Sequence, residues 1–125
     1  MSLTQGKWGA ELKKLGTLRQ GWNGYDAPAP AKVAIEMARQ YLQIVKCWDF
    51  NPKRVEPSVM GGVGITHRQG SRKVYIEFYN DGTGHSLFSD SSGRMQTMSV
   101  TPGAGDFRRF VVKAKNYLSD RDFMR

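Results

Sequence analysis

Apolar residues along the chain fall into three blocks with helical spacing and one long block with a period of two. Trp8, Leu12, Leu15 and Leu18 recur every three or four residues, with Lys13, Lys14 and Arg19 on other faces. That spacing predicts a short amphipathic helix ending at Gly21. Ala34, Met37, Ala38, Tyr41, Ile44, Val45 and Trp48 form a longer stripe, and Glu36, Arg39, Gln40 and Lys46 fill the positions between. Pro30 suits the first turn of this second helix, where a missing N–H is no loss, and Asn51-Pro52 breaks it. Phe107, Phe110, Val111, Ala114, Tyr117 and Leu118 make the apolar face of a third helix, with Asp106 placed to cap it.

From residue 55 to 100 the period drops to two. Val63, Ile65 and His67 alternate with Gly64, Thr66 and Arg68, and Val74, Ile76 and Phe78 alternate with Tyr75, Glu77 and Tyr79. Asp81-Gly82 signals a hairpin. As a two-residue loop it sets Phe78 against His85 and Ile76 against Leu87. A turn near Gly70 sets His67 against Arg72 or Val74. One face then carries Val63, Ile65, Val74, Ile76, Phe78 and Leu87, with both histidines at its margins. The other carries Tyr75, Glu77, Tyr79, Ser86 and Phe88. Val55 to Val59 adds a strand that Pro57 confines to an edge, and Arg94 to Val100 forms a last one. Helices segregated from strands predict an α+β fold: an antiparallel four- to five-stranded meander packed with two N-terminal helices and one C-terminal helix. A length of 125 residues fits one domain, 1–125.

Charge sharpens the picture. The net charge is +8. Residues 1–54 hold nine Lys/Arg against four Asp/Glu, 55–93 three against four, and 94–125 seven against three. The basic excess therefore sits on the two ends of the chain. No apolar run approaches the roughly 20 residues that span a membrane, and no charged-then-apolar pattern near residue 1 suggests a signal peptide. Cys47 is the lone cysteine. A cytoplasmic setting without a membrane partner is the expectation.

Several chemistries are disfavoured by pattern. His67 and His85 fall at opposite ends of the central strand, too far apart to share a metal, and no cofactor-binding pattern is present. Gly61-Gly62-Val63-Gly64 lacks the Gly-Lys-Ser/Thr ending of a phosphate loop and precedes a strand. No serine lies in a nucleophile elbow, and Cys47 falls at a helix C-terminus. No catalytic residues are assigned. The leading expectation is a non-enzymatic binding or protein-interaction module, with a protein partner or a second copy of the chain meeting Tyr75, Glu77, Tyr79 and Phe88. A small-molecule pocket lined by Trp22, Tyr25 and Trp48 is a further candidate, although Trp22 and Tyr25 are expected mainly to fold inward and plug the corner between helices and sheet. The alternative is a basic nucleic-acid-directed protein, a toxin-like ribonuclease or a regulator. There Arg72, Lys73, Arg108 and Arg109 hold phosphate and His67 is the acid or base.

Gly21 to Pro30 reads GWNGYDAPAP. Trp22-Asn23-Gly24-Tyr25, then Ala27-Pro28, then an Ala-rich helix, with Gly61-Gly62 and Asp81-Gly82 further on, resembles a pattern in small bacterial proteins of mobile elements and integron gene cassettes. The resemblance spans roughly Leu15 to Phe88, and Asn23 stands where the pattern usually has Asp. It implies a bacterial accessory protein and carries no activity.

Overall fold

The computed structural model describes residues 3–119, so Arg121 and Arg125 of the basic C-terminal stretch lie outside the described residues. The three apolar stripes become α1 (Leu3–Leu15), α2 (Lys32–Cys47) and α3 (Ala104–Ser119). The alternating block becomes β1 (Arg54–Ser58), β2 (Gly62–Gln69), β3 (Arg72–Tyr79), β4 (Gly84–Ser89) and β5 (Met95–Ser99). The strands form one antiparallel sheet in sequence order, β1 to β5, with the Pro57 strand at an edge. The α+β meander is as the pattern predicts. Helix α1 stops at Leu15, and the chain turns through Gly16 to Leu18 before the Gly21 loop. The second helix begins after Pro30 rather than with it, Ala31 serving as its N-cap residue. No described helix is long and apolar enough to cross a membrane.

The helices lie on one face of the sheet. Val63, Ile65, Val74, Ile76 and Phe78 are fully buried beneath Ala34, Ala38, Tyr41 and Val45 of α2 and the six apolar residues foreseen on α3. The centre is aromatic. Tyr41 meets Phe78 and Phe107 edge-on or tilted at 5.7 and 5.6 Å between ring centroids, and Phe88 meets Tyr117 at 5.2 Å.

Ladder register decides which side chains join this core. Gly70-Ser71 is a two-residue loop, and it sets Gln69 against Arg72, His67 against Val74 and Ile65 against Ile76. The next hairpin departs from the expectation. Tyr79 N–H donates to Thr83 O at 2.8 Å, so Asn80, Asp81 and Gly82 form a three-residue loop, with Gly82 at φ 89°. Such a loop is a type I turn closed by a left-handed residue, a conformation glycine adopts without strain. The extra residue shifts β4 by one: Phe78 faces Gly84, Glu77 faces His85 and Tyr75 faces Leu87. Every β4 side chain therefore changes face. Phe88 enters the core at 1% exposure, Ser86 is buried with its hydroxyl donating to Met98 O, and Leu87 and His85 move to the opposite face.

Candidate ligand-binding face

The face of the sheet away from the helices carries Arg54, Glu56 and Ser58 from β1; Gly64, Thr66 and Arg68 from β2; Lys73, Tyr75, Glu77 and Tyr79 from β3; and His85 and Leu87 from β4. Three rows run across the strands. Arg54, Thr66, Tyr75 and Leu87 form the middle row. On one side of it Arg68 faces Lys73. On the other side Glu56, Gly64, Glu77 and His85 stand in line. Rows on the same face are two residues apart, about 7 Å.

This order makes the face electrically two-sided. A groove lined by Lys53, Arg54, Glu56, Thr66, Arg68, Lys73 and Tyr75 lies at the basic corner. Arg54 is diagonal to Arg68, which faces Lys73 directly. Among the described residues none of these cations is in an ion pair, unlike Lys14 with Glu11, Arg39 with Glu36 and Arg109 with Asp106. At the other corner a second groove is lined by Trp22, Glu56, Pro57, Ser58, Val59, Met60, Tyr75 and Glu77. Glu77 accepts from the Ser58 hydroxyl and from the Tyr79 hydroxyl. Tyr75 and Glu56 border both grooves. Burial, followed by the neighbouring Glu77 and Glu56 carboxylates and Tyr79, raises the Tyr75 phenol above its ordinary value, so this ring is neutral at physiological pH.

The Gly21 loop, the Gly61 turn and Asn80 meet beside the second groove. The Asn23 Oδ1 accepts from Tyr25 N–H at 3.0 Å and Ala27 N–H at 3.3 Å, closing the Gly21 loop on itself. Only an acceptor oxygen is used there, which an Asp supplies equally. The Asn80 amide then holds the loop to the sheet: Oδ1 accepts from Ala31 N–H at 2.7 Å and Nδ2 donates to Ala29 O at 2.9 Å.

The sequence-derived site residues are dispersed. Trp22 is half-buried and its Nε1–H donates to Pro28 O at 2.9 Å, but Tyr25 is 82% exposed, contrary to the inward plug. The Asn23 turn leaves the Tyr25 side chain at its tip. Trp48 follows the last turn of α2, 16 residues of helix from the Gly21 loop, or about 24 Å. The groove that Trp22 lines includes neither Tyr25 nor Trp48. Tyr75, Glu77 and Tyr79 share the open face as expected, whereas Phe88 is core and Leu87 takes its place.

The proposed nucleic-acid set also separates. Arg72 turns to the helix side, where Nη1 donates to Tyr117 O at 2.6 Å near the C-terminus of α3 and the guanidinium lies 5.1 Å from the Tyr117 ring. Favourable interaction with a helix C-terminus accounts for its position. Arg108 and Arg109 are exposed on α3, in the helix layer, and Arg109 pairs with Asp106. Lys73 alone of the four cations stays on the open face. His67 is no strand-margin residue open to substrate: it is 1% exposed, stacked on Phe50 at 3.9 Å and bonded through Nε2 to the Tyr41 hydroxyl.

Sequence reasoning misses Lys53, Arg54 and Arg68. Lys53 and Arg54 are adjacent at the start of β1, at the end of the first charge block, while Arg68 lies on β2 in the second, and only the pairing Arg54–Thr66 and Arg68–Lys73 brings them together. Among the described residues no group of three or more His, Cys, Asp or Glu is arranged to hold a metal ion. A separate cleft between α1 and α2 has Trp8, Leu12 and Leu42 at its floor and Arg39 and Lys46 at its rim, with Arg39 paired to Glu36. Comparison of the chain with protein families, curated proteins and solved structures finds no match.

Proposed function

We propose that the chain is a non-catalytic binding module whose working surface is the open face of its sheet, and that the basic corner of this face takes a polyanion of the nucleic-acid class. The observation that carries the reading is Arg68 facing Lys73 across the ladder, with Arg54 diagonal to Arg68 and, among the described residues, no carboxylate paired with any of them. Like charges directly opposite on a sheet destabilise it. A bound anion would remove that repulsion. The net charge of +8 adds long-range attraction for a polyanion. The burial of His67 argues against the ribonuclease form of the nucleic-acid reading, because the ring is sealed from any substrate. The sequence resemblance supports a bacterial accessory role on a mobile element, and a lone cysteine suits the cytoplasm.

Fluorescence anisotropy with labelled DNA and RNA tests this. Binding should appear at low salt, weaken linearly on a log–log plot as salt rises, and be lost in an Arg68→Glu, Lys73→Glu double variant. No binding of any nucleic acid at low salt overturns it.

A second reading is self-association. On β3, Lys73 and Glu77 stand two residues either side of Tyr75. A second copy laid face to face and antiparallel would set Lys73 against Glu77 of that copy. Light scattering showing a dimer that dissociates on Glu77→Lys would favour this reading.

A further inference from the structure

We infer that the polyanion is a single polynucleotide strand rather than a duplex, with one base stacked on Tyr75 and its flanking phosphates held by Arg54, Arg68 and Lys73. This rests on the reading just given and adds the selection of an unpaired strand.

The position of the Tyr75 ring carries the inference. Its Cα lies in the middle row opposite Thr66, but the ring end lies over Gly64, one row further: a Cβ added to Gly64 would overlap the Tyr75 hydroxyl and the carbon that bears it. The ring is thus laid along the sheet rather than standing away from it. Gly64 is the residue that permits this, since any side chain would occupy the same space. Tyr75 is half-buried, with the sheet beneath it and the two grooves on either side. Such a ring is a platform on which a base can stack.

Charge then orients the strand. The cations stand on the Cα side of the ring, and Glu56 and Glu77 flank its hydroxyl end, one on each side of Gly64. Phosphates are drawn to the first side and repelled from the second. A base laid over the ring from the cationic side turns its far edge towards carboxylate oxygens, which accept from base N–H groups. A duplex keeps its base faces in the stack and would use the cations alone, leaving the ring idle.

Anisotropy titrations of a labelled single strand and the matching duplex, at one salt concentration, test the inference, with DNA and RNA as separate arms. The single strand, as DNA, RNA or both, should bind about tenfold or more tightly than its duplex, and Tyr75→Leu should weaken single-strand binding about tenfold while leaving duplex binding unchanged. Tyr75→Phe should keep the wild-type affinity. Gly64→Ala, which displaces the ring without changing charge, should behave as Tyr75→Leu does. The three cations predict a log–log salt slope of about −2 for a single strand, and Tyr75→Leu should leave it unaltered. Thermal melts establish that each variant is folded. Equal binding of strand and duplex, or a Tyr75→Leu variant with undiminished single-strand affinity, overturns the inference while the polyanion reading stands. An acidic peptide that binds as tightly as the single strand and does not depend on Tyr75 also overturns it. Loss of all nucleic-acid binding at low salt removes both.

Discussion

The Tyr41 hydroxyl lies 2.8 Å from Nε2 of His67 inside the aromatic core. Both groups are held neutral. Burial lowers His67 to about 4, opposed only by the Asn51 backbone, and burial pushes Tyr41 well above its ordinary value. In the unfolded chain His67 protonates near pH 6.5. The unfolded state therefore binds the extra proton first as acid is added. Stability should be full above about pH 6.5, fall as the pH drops towards 4, and level below that; the whole change is roughly 3 kcal/mol. Urea midpoints across this window read it, and His67→Gln should flatten the slope between 6.5 and 4. An unchanged slope in that variant would assign the acid sensitivity elsewhere.

Asn80 ties the Gly21 loop to the β3–β4 turn through two hydrogen bonds. Asn80→Ala should lower unfolding free energy by about 2 kcal/mol, one increment for each bond. Asn80→Asp keeps an acceptor for Ala31 N–H and loses the donor to Ala29 O, so it should fall between wild type and alanine. Amide exchange at Ala31 should quicken in the alanine variant before global unfolding sets in.

The two aromatics of the loop should part company on substitution. Trp22 is half-buried and bonded to Pro28 O, while Tyr25 is 82% exposed. Tyr25→Ala should stay within about 0.5 kcal/mol of wild type, the usual range for surface changes. Trp22→Ala should lower the melting temperature clearly. Equal effects would place Tyr25 against the core after all.

A third pair checks the β4 register. Phe88→Ala should cost about 3–5 kcal/mol and Leu87→Ala much less, because Phe88 is among the α3 rings and Leu87 lies on the open face. The reverse order would restore the two-residue loop. This contrast also marks how far the sequence is legible. Helical stripes of α2 and α3 declare themselves, since all six α3 core positions follow from spacing alone. The turn near Gly70 narrows the β2–β3 register to two choices that put the same side chains on each face, and the structure takes the one with a Gly70-Ser71 loop. The β3–β4 register is not so constrained, because Asp81-Gly82 serves a two- or a three-residue loop equally well, and one residue reverses a whole strand. The basic corner fails for a related reason: Arg54, Arg68 and Lys73 are neighbours only through cross-strand pairing. His67 is legible as a strand residue opposite Arg72 or Val74 but not as a core residue, since its burial depends on Phe50 and Tyr41 from outside the sheet.

Arg68→Glu tests whether the facing cations are kept at the expense of the fold. Replacing one of two like charges by its opposite should raise stability by about 0.2–1 kcal/mol. The same change should weaken polyanion binding. Urea midpoint and anisotropy titration on one preparation read both. A variant that is less stable and binds as before would remove the repulsion from the account.

The Asn80 clamp reaches back 49 residues to Ala31 and 51 to Ala29. During synthesis the Gly21 loop and the first two helices emerge well before the turn that fastens them. Contacts of such long sequence separation form late, after the loop between them has closed. The amino-terminal segment must therefore wait on the nascent chain, its apolar stripes unmatched, until the third strand arrives and Asn80 locks it in place.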